Sequence, residues 1–424
     1  MRRLLFLLPI ACLAQDDALF DEVAQPEESA AHAPAPFAEW DGITQLFPDP
    51  SGKGSGEGRS PSPSLELVGE FELAPDAPEG LSGIAWTFHP DLFGKSVGTR
   101  LPDGSDVVSP DSYILCEDSG GFVHWADFGL DRTSGTVTSA VFRASWNPVG
   151  VAATADLEAI AYKRNANGRC ALFLSDEAFA YIYRRRLSPH GDHDAGASPM
   201  SVPLPEPLKS PRRNKGVEAM CLSPDNDLLW IANEDALSED GPVSSTAGGS
   251  LVRLYALDVS DRRWPHADPR WWYYELDPAA GSPFPHLPDP FNGLAELCAL
   301  PDGRLLALER SYGVRTRSAD DPRASLITIS VYLVDPLHAE PAESAERPPA
   351  IAKTLLWRGL AGRANYEGMT LGPELSDGSR ALLLVSDGDV TRKGAFAFPW
   401  AKRLLSFRLR PSEAQQNESE PCER

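Results

Sequence analysis

The sequence is short of basic charge, of paired-cysteine motifs and of long apolar runs, and each shortage removes a class of function. Lys and Arg total 39 against 61 Asp and Glu, a formal net charge of −22. Nucleic-acid binding is excluded on that balance, because it draws its affinity from cations that neutralise phosphates, and anionic membrane surfaces are disfavoured for the same reason. Small cations are the natural partners of such a chain. One apolar run stands out, residues 4–13; a membrane-spanning helix needs about 20 such residues, so no transmembrane segment is expected. Six cysteines occur without a CxxC pair, which leaves thiolate metal sites unsupported. Histidine is scarce at eight residues; His124 falls in a predicted strand, and His190 and His193 share a polar loop with no partner at zinc spacing. The same scarcity withholds the His dyad that a calcium-dependent lactonase would need. Ser175 and Ser386 precede acids, but neither lies in a Gly-x-Ser-x-Gly elbow, so a serine hydrolase is not indicated.

What is present begins with an export signal. Met1-Arg2-Arg3 followed by the run 4–13 has the charged and apolar regions of a secretory leader, with Ala14 at the cleavage site. Acylation at Cys12 is the alternative, but Pro9 and Ile10 make a poor lipobox. A periplasmic or secreted monomer follows from this reading. Residues 15–64 are rich in Ala, Pro, Ser and Gly and read as a linker. Phe37, Trp40, Ile43, Leu46 and Phe47 interrupt it at near-helical spacing, as a short docking segment would. The folded body is expected over 65–410, and 411–424 as a loose polar tail.

Within that body, short β-branched and aromatic runs are bounded by Asp, Gly, Asn and Pro, the mark of an all-β domain. One motif recurs as Leu157-Glu158-Ala159-Ile160, Val217-Glu218-Ala219-Met220, Ala295-Glu296-Leu297-Cys298 and Tyr366-Glu367-Gly368-Met369, with a degenerate copy at Leu81-Ser82-Gly83-Ile84. Each copy is followed by an apolar run ending in acid, such as Leu172-Phe173-Leu174-Ser175-Asp176-Glu177. Repetition of this kind means a β-propeller, because each unit must bury its faces against its own copies. Five four-stranded blades can be drawn, with an N-terminal strand near residues 65–73 completing the last blade and closing the ring. The glutamates are spaced by 60, 78 and 71 residues, so the loops are long, and a sixth blade is the rival count. Ala295-Glu296 stands one residue out of frame, as a β-bulge would place it. Cys116, Cys170, Cys221 and Cys298 fall in strands as small buried side chains, with a Cys221–Cys298 bridge between neighbouring blades left open.

First strands of a propeller line its channel, so Glu158, Glu218, Glu296 and Glu367 are expected to converge there. Converging carboxylates raise one another's pKa unless a cation compensates, and Ca²⁺ accepts six to eight such oxygens. Four glutamates therefore point to bound Ca²⁺; taken singly, each could instead accept backbone N–H groups. Glu309 and Asp387, at the ends of second strands, are candidate acid/base groups, and Arg310 and Lys215 candidate contacts for an anionic substrate. Arg212 and Arg213 read as solvated loop charges.

In this order the motifs resemble the phytase-like family described as having esterase-like activity of phytase, a group of exported bacterial propellers. The resemblance runs over about residues 65–409 and rests on Leu81-Ser82-Gly83-Ile84, Asp156-Leu157-Glu158-Ala159-Ile160, Ser175-Asp176-Glu177, Asn214-Lys215-Gly216-Val217-Glu218-Ala219, Asp302-Gly303-Arg304 through Arg310, Asn365-Tyr366-Glu367-Gly368-Met369 and Ser386-Asp387. It implies hydrolysis of a small phosphate or carboxylic ester with Ca²⁺ as cofactor. A non-catalytic ligand-binding or scaffold propeller is the competing expectation. Ser82, where other copies carry Glu, costs one possible ligand.

Overall fold

The computed structural model describes residues 44–45, 62–87, 111–148, 151–152, 154–164, 170–187, 200–212, 215–260, 269–283, 289–316, 324–342, 349–388, 390–393 and 396–412. The proposed leader, most of the linker and the end of the tail lie outside them. Five antiparallel four-stranded sheets form the blades. Blade one is Leu81–Trp86, Ser112–Glu117, Val123–Leu130 and Val137–Trp146, and blade two is Leu157–Arg164, Cys170–Asp176, Tyr181–Leu187 and Met200–Val202. Blade three is Val217–Leu222, Leu228–Asn233, Leu251–Asp258 and Arg270–Glu275. Blade four is Phe291–Ala299, Leu305–Thr316, Ala324–Val334 and Lys353–Leu360. Blade five takes Tyr366–Glu374, Arg380–Ser386 and Arg403–Arg410 from the C-terminal part of the chain and Ser64–Glu72 from the N-terminal part.

That last pairing closes the ring as the sequence predicts, with Leu65 opposite Leu409 and Phe71 opposite Leu404. The sixth blade is not needed: five inner strands touch their neighbours in cyclic order and return to the start. Apolar residues form five clusters among the described residues, one in each wedge between adjacent blades. The wedge between blades four and five, for example, packs Trp357 edge-on against Phe407 at 5.0 Å. Alternating burial along each strand feeds the two wedges on its two sides.

Phe37, Trp40, Ile43, Leu46 and Phe47 of the expected docking segment lie outside the described residues; Thr44–Gln45, between them, adds a short edge strand to blade four, opposite Leu360 and Gly359. Cys116, Cys170, Cys221 and Cys298 are free thiols, so the bridge between Cys221 and Cys298 is not formed.

The motif itself is a bulge. In all five blades the register slips at its second residue, between Leu81 and Gly83, Leu157 and Ile160, Val217 and Ala219, Leu294 and Glu296, and Tyr366 and Gly368. A bulge re-aims the side chain it carries, and here it turns Ser82, Glu158, Glu218, Ala295 and Glu367 out of the ladder at one end of the channel.

Candidate functional site

Two rings of side chains follow from that repeat. The first holds the bulge residues Ser82, Glu158, Glu218, Ala295 and Glu367. The second holds the residue that follows the pairing partner of the motif's first residue: Asp118, Glu177, Glu234, Arg310 and Asp387. Backbone bonds fix this second ring, with Asp118, Glu177, Glu234 and Asp387 each donating its N–H to the residue before the motif, Gly80, Asp156, Gly216 and Asn365. Blade four keeps the pattern through the pairing of Gly293 with Arg310. Close approach needs glycine at three of these places: a Cβ on Gly80, whose φ is +64°, would lie 2.0 Å from Asp118 Oδ1, and the other two are Gly216 and Gly293. A Cβ on Gly216 would lie 2.7 Å from Glu177 Cγ, and one on Gly293 would lie 2.5 Å from Glu234 Oε1.

The rings are not symmetric. On one side Arg310 reaches across from blade four and satisfies its neighbours: Nη2 donates to Glu234 Oε1 at 2.8 Å, and Nη1 donates to Asn365 Oδ1 at 3.0 Å and lies 3.3 Å from Glu367 Oε1. Burial works against its charge, but Glu367, Glu234, Glu218 and Glu158 more than offset this and raise its pKa. Lys215 closes the other oxygen of Glu234 and sits 4.0 Å above the Phe291 ring. Asn365 Nδ2 donates to Glu367 Oε1 at 2.8 Å and to Asp387 Oδ2 at 3.3 Å, which holds Asp387 in this half.

On the other side no cation among the described residues forms an ion pair with the acids. Asp156, Glu158 and Glu177 each place a carboxylate oxygen within 4.8 Å of the others, a spacing that a metal ion could occupy. Burial and the proximity of Glu218, Glu367, Asp156 and Glu177 push the Glu158 pKa well above its usual range, and Asp156, which is hydrogen-bonded to it, is also raised by burial. Glu177 is pushed up to about 7 by burial first, then by Glu234 and Asp156, against the lowering effect of the Gly216 N–H and Lys215. Glu218 is 6% exposed and faces the same space. It makes no hydrogen bond with the described residues, and burial together with Glu234, Glu177 and Glu367 raises its pKa well above normal despite Arg310.

Two predicted site residues stand elsewhere. Glu296 occupies the place of Gly83, Ala159, Ala219 and Gly368, while Ala295 takes the ring position. With small residues at the equivalent places, one long side chain fits, and Glu296 uses the room to accept the Met220 and Leu297 amides at 2.9 Å each. Its pKa is raised well above normal by burial. Glu309 is displaced for a different reason: it pairs directly with Leu294, so it points to the opposite face from Arg310. There it accepts from Tyr274 Oη at 2.7 Å, Asn292 Nδ2 at 2.6 Å and the Asp277 N–H at 3.1 Å, and pairs with Lys353. Glu117 with His124 and Asp176 with Tyr183 are its counterparts in blades one and two. Asp156 and Asn365, by contrast, are site residues that sequence reasoning passed over. The signal was available in the residue preceding each motif.

Solved structures share little with the chain beyond low similarity. A tail fiber of Staphylococcus aureus phage P68 has 10% identity and a TM-score of 0.36, covering 85% of this chain and 57% of that one. An alpha-L-arabinofuranosidase of Podospora anserina has 11% identity and a TM-score of 0.40, covering 83% and 98%. A putative 6-phosphogluconolactonase of Bacteroides uniformis has 11% identity and a TM-score of 0.29, covering 80% and 95%. No curated protein matches the sequence. The family model described as phytase-like, esterase-like activity of phytase, matches residues 104–390, which include the inner strands of blades two to five, and the chain belongs to that family.

Proposed function

We propose that the chain is an exported hydrolase of carboxylic or phosphate esters, working in the acid chamber with Ca²⁺ bound by Asp156, Glu158 and Glu177. The observation that carries this reading is the set of three oxygens within 4.8 Å that no cation of the described residues neutralises. Oxygens on opposite sides of a calcium ion, each at 2.3–2.6 Å, lie about 5 Å apart, so the donor set fits a hard cation in both chemistry and spacing. When bound, such an ion supplies a Lewis acid toward the ester oxygen. Glu218, whose pKa burial and the neighbouring carboxylates raise well above normal, is the group we assign to pass a proton to the leaving oxygen. Asp387 orients the Asn365 amide that in turn holds Glu367.

Arg310 and Lys215 take a different role from direct substrate contact. Both already serve Glu234, and Arg310 also serves Glu367, so they keep that half of the chamber rigid. An ester whose acyl part is uncharged is therefore the better substrate, because a phosphate would have to displace these pairs or rely on the metal alone. Turnover of aryl acetates and aryl phosphates, followed with and without a chelator, tests the proposal. Calcium-dependent turnover that falls about a hundredfold in Glu218→Gln is expected, the size typical of a lost acid/base group. A calcium-induced rise in melting temperature without turnover on any ester would instead assign a ligand-binding propeller.

A further inference from the structure

Burial of charge separates one arginine from the others. Three arginines among the described residues are buried, Arg185, Arg304 and Arg310. Arg304 holds Asp302 and Arg310 holds Glu234, whereas Arg185, 6% exposed, pairs with no carboxylate among the described residues. Its Nε and Nη2 atoms are both buried without a hydrogen-bond partner. Those two atoms share one edge of the guanidinium, and elsewhere in this molecule that edge grips a carboxylate. Arg304 sets Nε at 2.9 Å and Nη2 at 2.6 Å from Asp302 Oδ2, and Arg143 sets both at 2.8 Å from Asp127 Oδ2. Burial lowers the pKa of Arg185, opposed among the described residues by Tyr183 and Tyr181 alone. A guanidinium nevertheless keeps its proton in a protein, so the charge stays.

The strand places this charge between two blades. Arg185 lies opposite Leu172 in the regular pairing of Cys170–Asp176 with Tyr181–Leu187, and two residues beyond Tyr183, so it shares their face of the sheet. Leu172 and Tyr183 belong to the apolar cluster that also holds Ile114 and Trp125 of blade one. The wedge between blades one and two therefore receives the guanidinium. Trp125 brings a second donor to that cluster, since its Nε1 is buried and has no hydrogen-bond partner. Each blade thus contributes an unmatched N–H donor, and one of the two carries a full charge, which is costly to bury without a partner.

We propose that a small oxyanion, a carboxylate or a phosphate, binds in this wedge on the Nε and Nη2 edge of Arg185. Two N–H groups on one planar edge match two oxygens of one anion, a fit that a single-atom anion such as chloride does not offer. The low exposure of Arg185 keeps the ligand small. The inference stands apart from the proposed ester hydrolysis, since it uses neither the acid rings nor a metal.

Thermal melts of the full chain in the presence of chelator, at matched ionic strength in chloride, acetate and phosphate, test it. Acetate, phosphate or both should raise the melting temperature of the parent saturably by a few degrees over chloride, and the one that does so identifies the anion. Arg185→Met should lose that rise. In chloride the same variant should melt no lower than the parent, because it removes an unpartnered charge. Arg185→Lys keeps the charge without the two-point edge and should bind about tenfold more weakly. Calorimetric titration of the parent with the same anions needs no variant and should show saturable one-to-one binding. Equal rises in the parent and in Arg185→Met, the mark of a general salt effect, would overturn the proposal. So would the absence of saturable binding of both anions, or an Arg185→Met variant that melts well below the parent in chloride, which would give the guanidinium a partner within the chain.

Discussion

The two halves of the acid chamber are built from the same repeat and reach opposite electrostatic outcomes. Where blade four contributes Arg310 at the ring position, Glu234 and Glu367 are paired, hydrogen-bonded and fixed. Where blade two contributes Glu177 at that position, Asp156, Glu158, Glu177 and Glu218 crowd together with raised pKa values. One substitution of sign within a fivefold pattern thus divides an acidic channel into a cation-paired side and an unpaired side. The lesson is that repetition supplies the geometry, while the break in repetition decides where chemistry can occur.

Breaking the paired half should produce the largest effect. Arg310→Met strands two buried carboxylates and is expected to cost about 3–5 kcal/mol in urea denaturation, the usual result of removing one partner of a buried pair. Adding Glu234→Gln to that variant should recover part of the loss. Calcium response should survive in both, because the proposed ligand set, Asp156, Glu158 and Glu177, is on the other side.

Disabling the unpaired half should act on ligand response rather than on the fold. At a hundredfold excess over its dissociation constant, calcium adds about 2.7 kcal/mol to the stability of a one-site protein, and Glu177→Gln should abolish that gain. In the presence of chelator the same variant is expected to melt slightly higher than the parent, since it removes repulsion. Equal calcium-induced shifts in parent and variant would show that Glu177 is no ligand.

Acidity should separate the halves in sign. Glu177 rises from an ordinary value of 4.5 to about 7 on folding, so the metal-free protein gains stability from it below about pH 4.5 and loses that gain as pH rises through about 7. Calcium must displace this proton and those that the raised pKa values of Asp156 and Glu158 retain, so its affinity should climb at least about tenfold per pH unit below 7. Denaturation with chelator and calcium titration at matched pH values would reveal the opposite slopes.

The smallest effect belongs to the residue between the two ends of the channel. Burial raises the Glu296 pKa and Gln has nearly its shape, so Glu296→Gln should change stability by less than about 1 kcal/mol, whereas Glu296→Ala, which leaves an interblade amide without its acceptor, should cost about 1–3 kcal/mol. Thermal melts of the two variants provide the contrast.

Much of this was legible in the sequence, and the rest was lost by single-residue slips. The five blades, the closing strand and the convergence of Glu158, Glu218 and Glu367 follow from the motif copies, because a bulge keeps its residue types wherever it recurs. Ala295-Glu296 matched the motif as a string but sits one residue later in the strand, so the ring position is Ala295. Placing Leu294-Ala295-Glu296-Leu297 in frame with Leu157-Glu158-Ala159-Ile160 exposes this. Glu309 erred likewise, being the acid adjacent to the ring position that Arg310 holds; in a strand, adjacency means the opposite face. Asp156 and Asn365 went unrecognised because the residue before the motif is Gly in blades one, three and four and carries a polar side chain only in blades two and five.

Closure by Ser64–Glu72 carries a consequence for how the molecule is made. Leu65 meets Leu409, so the final sheet contact joins residues separated by nearly the whole folded chain. Contacts of such long sequence separation form slowly, since the loop entropy is spent before the contact returns anything. Until Arg403–Arg410 has been synthesised, the N-terminal strand has no partner and blade five has no outer edge. Assembly therefore finishes only when the two ends meet, and the same latch would hold a completed ring against unravelling from either terminus.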